Sequence, residues 1–362
     1  MQLQNIQPPP HIQLLYRTPE KQVKIKYLPN DFLVEEIIEI NNLLTLQSNI
    51  LLLKITKKNI STLKLIDILN KEFGTKVSFL GMKDKYSIST QYVTIQTQKV
   101  EKIIDKIKKI NNSNLSLELI GFAKENLKSV HLIANKFNIT LRDIDEKEIE
   151  LYIKNIQKLS TISCFFNYYD TQRIRLKRHI FLVALTKEEL KKNIEKFLFS
   201  EKTKIKDYIT DNKEEYSTNF RFIKKREEEI AKSLIFNLNL SRVVLEKTNN
   251  IPVKVYQKEN FLVIPSLEAL SLDDLKKIFL DFSSPEDNKQ DFSKSLFTQK
   301  RNPIAFFNNM SFQFSEDEHH KGRLKIELNF TLPKGSFATI LIKHIIPYPH
   351  YSKLKYKPYI ID

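Results

Sequence analysis

The densest polar segment of the chain is Gly81-Met82-Lys83-Asp84-Lys85-Tyr86-Ser87, set between two apolar stretches. A carboxylate at Asp84 is charged near neutrality, and Lys83 and Lys85 on either side favour that form. Such a group can serve as a nucleophile or a general base. The same residues also describe a plain polar turn between strands. Three aromatics stand where a base could stack: Phe32 just after a turn, Phe137 two residues beyond Asn135, and Phe337 at a helix start. Each also suits core packing, since Phe is mostly buried. Asn135 is out of character within a strand, because its amide demands partners, although a bulge or edge position would accommodate it. From Phe165 to Arg178 aromatics are interleaved with Arg173, Arg175, Lys177 and Arg178. That mixture suits splayed RNA, whose bases stack on rings while cations meet phosphate. A charged helix face beside a buried aromatic cluster would have the same composition.

Other chemistries find no support. His319 and His320 are adjacent, so on a helix or strand they would point apart, and the remaining histidines are scattered; no metal site is expected. Five glycines can hardly supply a phosphate-cradling loop, so neither a redox nor a nucleotide-dependent enzyme is expected. The single cysteine, Cys164, has no partner for an internal disulfide.

The elements that must position these residues follow from spacing. Val23–Tyr27 reads as a strand, turned by Pro29-Asn30-Asp31 into a second at Phe32–Ile40. Asn49–Thr56 reads as a buried strand. Ser61 caps a helix whose Leu65, Ile66, Leu69 and Phe73 recur at helical spacing, and Gly74 ends it. Short strands are predicted at Val77–Leu80 and Tyr92–Gln96, flanking the Asp84 loop, and a helix at Glu101–Ile110. Strands at Leu115–Gly121 and Val130–Leu141 precede an amphipathic helix at Glu146–Leu159. The pattern then turns helical and charged from Lys187 to Lys247. A strand-like stretch (Val253–Ile264), a helix (Leu272–Phe282) and a polar linker (Ser283–Lys294) come next. Strand alternation returns at Leu324, Ile326, Leu328 and Phe330, and a helix closes at Phe337–Ile346. This irregular mixing predicts an α+β fold with a largely antiparallel sheet. The simplest organisation is one sheet domain, 1–178 with 303–362, interrupted by a helix-rich insertion at 179–302.

Lys and Arg number 59 against 43 Asp and Glu, a formal charge of +16 over 362 residues. Clustered cations release counterions from phosphate on binding, so a polyanionic partner is one reading. Lysine enrichment of solvated faces in an Ile-, Lys- and Asn-rich chain is the other. No run approaches the ~20 apolar residues of a membrane span, and the start lacks a signal peptide's basic and apolar regions. A cytoplasmic protein is expected.

Four separated blocks carry a family resemblance. Lys26-Tyr27-Leu28-Pro29-Asn30-Asp31-Phe32-Leu33-Val34-Glu35-Glu36 comes first, then Gly81-Met82-Lys83-Asp84-Lys85 with Thr90-Gln91. His131-Leu132-Ile133-Ala134-Asn135-Lys136-Phe137 follows, with Asn167-Tyr168-Tyr169-Asp170-Thr171-Gln172-Arg173 soon after. The last is Leu332-Pro333-Lys334-Gly335-Ser336-Phe337-Ala338-Thr339. In this order the blocks resemble the D-type (TruD) family of tRNA pseudouridine synthases. The resemblance implies a pseudouridine-synthase-type catalytic sheet with an inserted helix-rich α/β domain. It implies isomerisation of uridine to pseudouridine at position 13 of tRNA, without cofactor, by a monomer. Asp84 would be the catalytic aspartate, and Lys26, Phe32, Asn135, Phe137 and Phe337 would line the uridine pocket. Lys83, Lys85, Gln172, Arg173 and Arg175 would meet RNA. The chain departs from the family pattern at Ala134 and Asp170, where Gly is usual, and at Ile174-Arg175, where Phe-Gly is usual. A non-catalytic RNA-binding protein on the same scaffold, or a synthase acting on another RNA, are the rival readings.

Overall fold

The computed structural model describes residues 23–170, 253–256, 262–283 and 301–347, with separate positions between Glu229 and Val244. In chain order the elements are β1 (Lys24–Ile25), β2 (Phe32–Ile38), α1 (Ile40–Leu43), β3 (Leu44–Thr45), β4 (Ile50–Lys58) and α2 (Thr62–Phe73). Then come β5 (Val77–Phe79), β6 (Ile88–Gln96), α3 (Val100–Ile110), β7 (Leu115–Ala123), β8 (Leu132–Ile144) and α4 (Ile149–Ile162). After these follow β9 (Cys164–Phe166), β10 (Val253–Tyr256), β11 (Leu262–Pro265) and α5 (Leu272–Ser283). The last are β12 (Ile304–Phe306), β13 (Asn308–Glu316), β14 (Leu324–Pro333) and α6 (Ala338–Ile345). The chain divides into two compact units. One comprises Lys21–Glu150 with Phe306–Gly335, and the described residues of the other fall within Leu151–Ala305 and from Ser336 onward.

The first unit is built on a ten-stranded sheet ordered β13-β14-β8-β2-β6-β4-β7-β3, with β1 added to β8 and β5 to β6. Its neighbours run antiparallel except β2 and β6, which run parallel. The α+β expectation therefore holds. Period-two alternation sends Leu51, Leu53 and Ile55 of β4 and Val93 and Ile95 of β6 to one face. There they pack on Leu65, Leu69 and Phe73 of α2 and Ile103 and Ile107 of α3. Ser61 caps α2, its Oγ accepting from Lys64 N at 3.3 Å. Gly74 ends the helix in the left-handed region (φ 66°), where a side chain would be strained.

Several elements differ from expectation: α1, β3 and β12 are not predicted, and β6 begins at Ile88 rather than Tyr92. β8 begins later than Val130 and runs on to Ile144, because Ser129–His131 forms a 3-10 turn before it. β13 is not anticipated at all. Its signal is the alternation of Met310, Phe312 and Phe314, weakened because β13 is a largely exposed edge strand lacking a buried apolar face.

In the second unit the stretch expected as one strand is a hairpin, β10 against β11, with Val253 opposite Pro265. β9, read from sequence only as part of an aromatic run, pairs with β12. Lys254 is buried, and its Nζ donates to Lys343 O (3.1 Å), His344 O (2.9 Å) and Ile346 O (2.7 Å). It thus satisfies carbonyls that the end of α6 leaves without helical donors. His344 is also buried, accepting from Phe166 N at 3.2 Å and bonded through Nδ1 to Ile340 O at 2.9 Å. Burial pushes its pKa down to about 3, so it is neutral. Among the described residues no helix is long and apolar enough to cross a membrane.

Candidate active site

Asp84 lies in the loop joining β5 to β6, and that loop is more than a polar turn. Thr62, at the start of α2, accepts from Lys83 N at 2.8 Å and donates to Lys83 O at 3.2 Å. The Asp84 carbonyl accepts from Lys57 Nζ at 2.8 Å and from Ser87 Oγ at 2.9 Å. Lys83 turns inward, donating to Glu36 Oε1 at 2.6 Å, while Glu36 Oε2 accepts from Tyr92 N at 2.9 Å. Burial raises the Glu36 pKa and the Lys83 ammonium opposes the rise. Of the two lysines expected to meet RNA here, Lys85 is exposed, whereas the Lys83 ammonium is committed to a buried carboxylate.

Lys26 holds Asp84 from the other side. Its Nζ donates to Asp84 Oδ2 and lies 4.1 Å from the centroid of the Phe32 ring. The backbone of Lys26 is left-handed, φ 61°, a conformation that costs a non-glycine residue ~1–2 kcal/mol. Such a strained residue persists only where its surroundings over-determine it. Here they do. Asp31, one turn on, accepts Leu28 N at 2.8 Å and is gripped by Arg142, whose Nε lies 2.9 Å from both carboxylate oxygens. Arg142 also donates to Asp317 at 2.9 Å and Glu318 at 3.0 Å. Asp31, Arg142 and Asp317 are all buried. Burial alone would raise the Asp317 pKa, but the amides of Asp143 and His319, with His320 and Arg142, outweigh it and hold it at about 2. His319 and His320 do not point apart: both rings approach Tyr27, at 5.7 and 5.0 Å between centroids. The turn they occupy frees them from strand geometry.

Asn135 of β8 stands opposite Glu36 of β2, so the two side chains share a sheet face. Its Oδ1 is buried and has no hydrogen-bond partner among the described residues. A buried acceptor of this kind costs free energy unless something supplies a donor. Phe32 and Phe137 are 4% and 7% exposed and meet edge-on at 6.0 Å, with Phe137 stacked on Phe330 at 5.5 Å. Both rings are core packing, and the Phe32 ring also faces the Lys26 ammonium. Ala134, in place of the expected Gly, lies within β8, paired with Ile37 and Pro333 next to a register shift between β2 and β8.

In the second unit Phe337 is the half-buried N-cap of α6. It lies 6.1 Å from the Tyr169 ring, and the Arg301 guanidinium is 4.0 Å from Tyr169 and 5.6 Å from Phe337. Arg301 in turn donates to Asn167 O at 2.8 Å and Asn167 Oδ1 at 2.7 Å. Asp170 does not face solvent. It is buried, accepting from Thr339 Oγ1 and, at 2.8 Å, from Lys343 Nζ. The acid that replaces Gly is thereby neutralised within the protein. Gln172, Arg173 and Arg175, expected to meet RNA, lie outside the described residues.

Lys57, Glu36 and Arg142 were not among the residues singled out from sequence. Lys57 had a signal: it continues the inward-facing series Leu51, Leu53, Ile55, so parity alone buries it. Arg142 had none, since its partners lie 111 and 175 residues away.

The arrangement presents a part-exposed carboxylate oriented by the Lys26 ammonium, which also faces the Phe32 ring. A carboxylate so fixed can attack an electrophilic carbon or take a proton from one. The fold superposes on the crystal structure of a protein from Methanosarcina mazei described as the putative tRNA pseudouridine synthase D (TruD), with a TM-score of 0.56 and 18% identity, over 89% of this chain and 93% of that one. The two chains share a fold. Residues 12–266 match the tRNA pseudouridine synthase D (TruD) family. A relative in Methanococcus maripaludis, named a probable tRNA pseudouridine synthase D, is 28% identical across 89% of this chain and 99% of its own length. The tRNA pseudouridine synthase D of Leptospira interrogans is 24% identical across 89% of this chain and 95% of its own. The chain belongs to the TruD family of tRNA pseudouridine synthases, which are isomerases.

Proposed function

We propose that the chain converts uridine to pseudouridine at position 13 of tRNA, with Asp84 as the reacting carboxylate. The reaction breaks the N1–C1′ bond, turns the uracil and bonds C5 to C1′, the proton lost from C5 being balanced by one gained at N1. Asp84 either attacks C1′ or removes the 2′ proton to give a glycal. Neither route changes oxidation state or requires an energy source. The observation that carries the reading is the Lys26–Asp84 pair, made from a strained backbone position. It sets the carboxylate's direction before substrate arrives, which is where much of the advantage of an enclosed site originates.

The base must leave its stack, at a cost of a few kcal/mol. Phe32 and Phe137 wall the pocket, and Phe337 is assigned a stacking role on family resemblance; stacking can return ~1–3 kcal/mol per base. Asn135 Oδ1 would accept from the uracil N3–H, giving a buried acceptor the donor it lacks. Lys85 is assigned to phosphate, as are Gln172, Arg173 and Arg175 on resemblance. The organisation that goes with this is a catalytic domain, 1–178 with 303–362, carrying an inserted domain at 179–302.

The test is Asp84→Asn on a tRNA transcript. Unchanged tRNA affinity with no pseudouridine at position 13 supports the reading. Persistent turnover would remove Asp84 from the mechanism, and a product mapped to another position would overturn the substrate assignment.

A further inference from the structure

Lys57 lies near the end of β4, on the face that otherwise carries Leu51, Leu53 and Ile55, and like them it is 0% exposed. An ammonium placed there loses its hydration, which is tolerable only where acceptors replace water. The acceptors are the Asp84 carbonyl at 2.8 Å and Ser89 Oγ at 3.4 Å, and Ser89 stands opposite Lys57 in β6. Ser87 Oγ donates to the same Asp84 carbonyl and bonds to Ser89 Oγ at 2.7 Å, closing a small buried network under the loop. The charged groups facing Lys57 are Asp84, which favours the ammonium, and Lys83, which opposes it. On the β7 side its strand neighbour is the apolar Leu115. Full burial removes Lys57 from any contact with RNA phosphate.

A loop anchor alone could be a neutral hydroxyl, as Thr62 and Ser87 demonstrate. A cation in this place does something more: it grips the backbone of the residue whose side chain Lys26 grips. Lys26 fixes the carboxylate end and Lys57 the main-chain end, so that the side chain between them has one direction. We infer that Lys57 is a positioning residue for Asp84, and that turnover requires its ammonium to be charged. This rests on Asp84 being the reacting carboxylate.

Burial pushes the Lys57 pKa down to about 8, against the pull of Asp84 and with the help of Lys83. The clamp therefore loses its charge at mildly alkaline pH, and turnover should fall there. The experiment measures single-turnover pseudouridine formation on tRNA from about pH 6 to about pH 10 for the wild type, Lys57→Arg, Lys57→Met and Asp84→Asn, alongside tRNA affinity and thermal melts. In the wild type the rate should decline above about pH 8. Lys57→Arg, which cannot deprotonate in this range, should move that decline to higher pH. Lys57→Met should be slower on the order of 10²-fold with no decline of its own near pH 8, while keeping tRNA affinity and melting no lower than the wild type.

If Asp84→Asn still turns over, both the Asp84 reading and this inference fall. If it is inactive while Lys57→Met matches the wild-type rate, only this inference falls. It falls equally if the alkaline decline is the same in Lys57→Arg, which would place it in the substrate. A Lys57→Met loss that tracks a lower melting temperature with the decline unchanged makes Lys57 structural and also overturns it.

Discussion

Replacing Lys26 by Met and by Gly separates what its side chain does from what its backbone costs. The hydrogen bond to Asp84 joins two charged groups, a class worth ~1.5–3 kcal/mol when sheltered. The side chains are 18% and 28% exposed, so screening places it toward the low end. The ammonium 4.1 Å from the Phe32 centroid adds ~0.5–1 kcal/mol. Lys26→Met should therefore lose about 2 kcal/mol, with the left-handed strain retained. Lys26→Gly loses the same contacts but relieves ~1–2 kcal/mol of strain, offset by ~0.5–1 kcal/mol for the greater freedom of glycine in the unfolded chain. The glycine variant should thus be as stable as the methionine variant or up to about 1.5 kcal/mol more so, although it removes more side chain. Urea unfolding measures the difference, and single-turnover assays should find both variants slowed on the order of 10²-fold. A glycine variant clearly less stable than the methionine one would show that φ 61° carries no strain. Wild-type turnover in either would show that the ion pair does not orient Asp84.

Two further outcomes follow from the same geometry. Arg142→Met strips the cation from buried Asp31 and Asp317 and should cost ~3–5 kcal/mol in urea unfolding; a cost below ~1 kcal/mol would mean the network is replaceable. In the intact protein Asp317 is held at about 2 while an unfolded Asp takes its proton near ~3.9, so the unfolded chain binds more protons between those values. Stability should accordingly fall as pH drops from about 4 toward about 2, and in Arg142→Met, where the folded Asp317 carboxyl is held down less, that fall should be smaller. For tRNA binding, log affinity against log salt should slope downward by ~0.7–0.9 per phosphate contact; a flat response would assign the +16 charge to solvated faces.

What residue spacing determined was local. Leu65, Leu69 and Phe73 between Ser61 and Gly74 specify α2 because helical period and caps act within a dozen residues. The alternation through Phe137, Ile139 and Leu141 specifies a strand for the same reason. Asp84 and the aromatic and amide residues proposed to accompany it were named from residue type and from blocks that resemble one family. Only the tertiary structure decided what each charge does. It turned Lys83 inward to Glu36, sank Asp170 against Lys343, set Lys57 under the Asp84 carbonyl and bent Lys26 into the left-handed region. It also tied Asp31 to Arg142 across 111 residues and Arg142 to Asp317 across 175. A buried charge must find its counterpart wherever the sheet's register delivers one, and register between distant strands is set by packing rather than by neighbours in the chain.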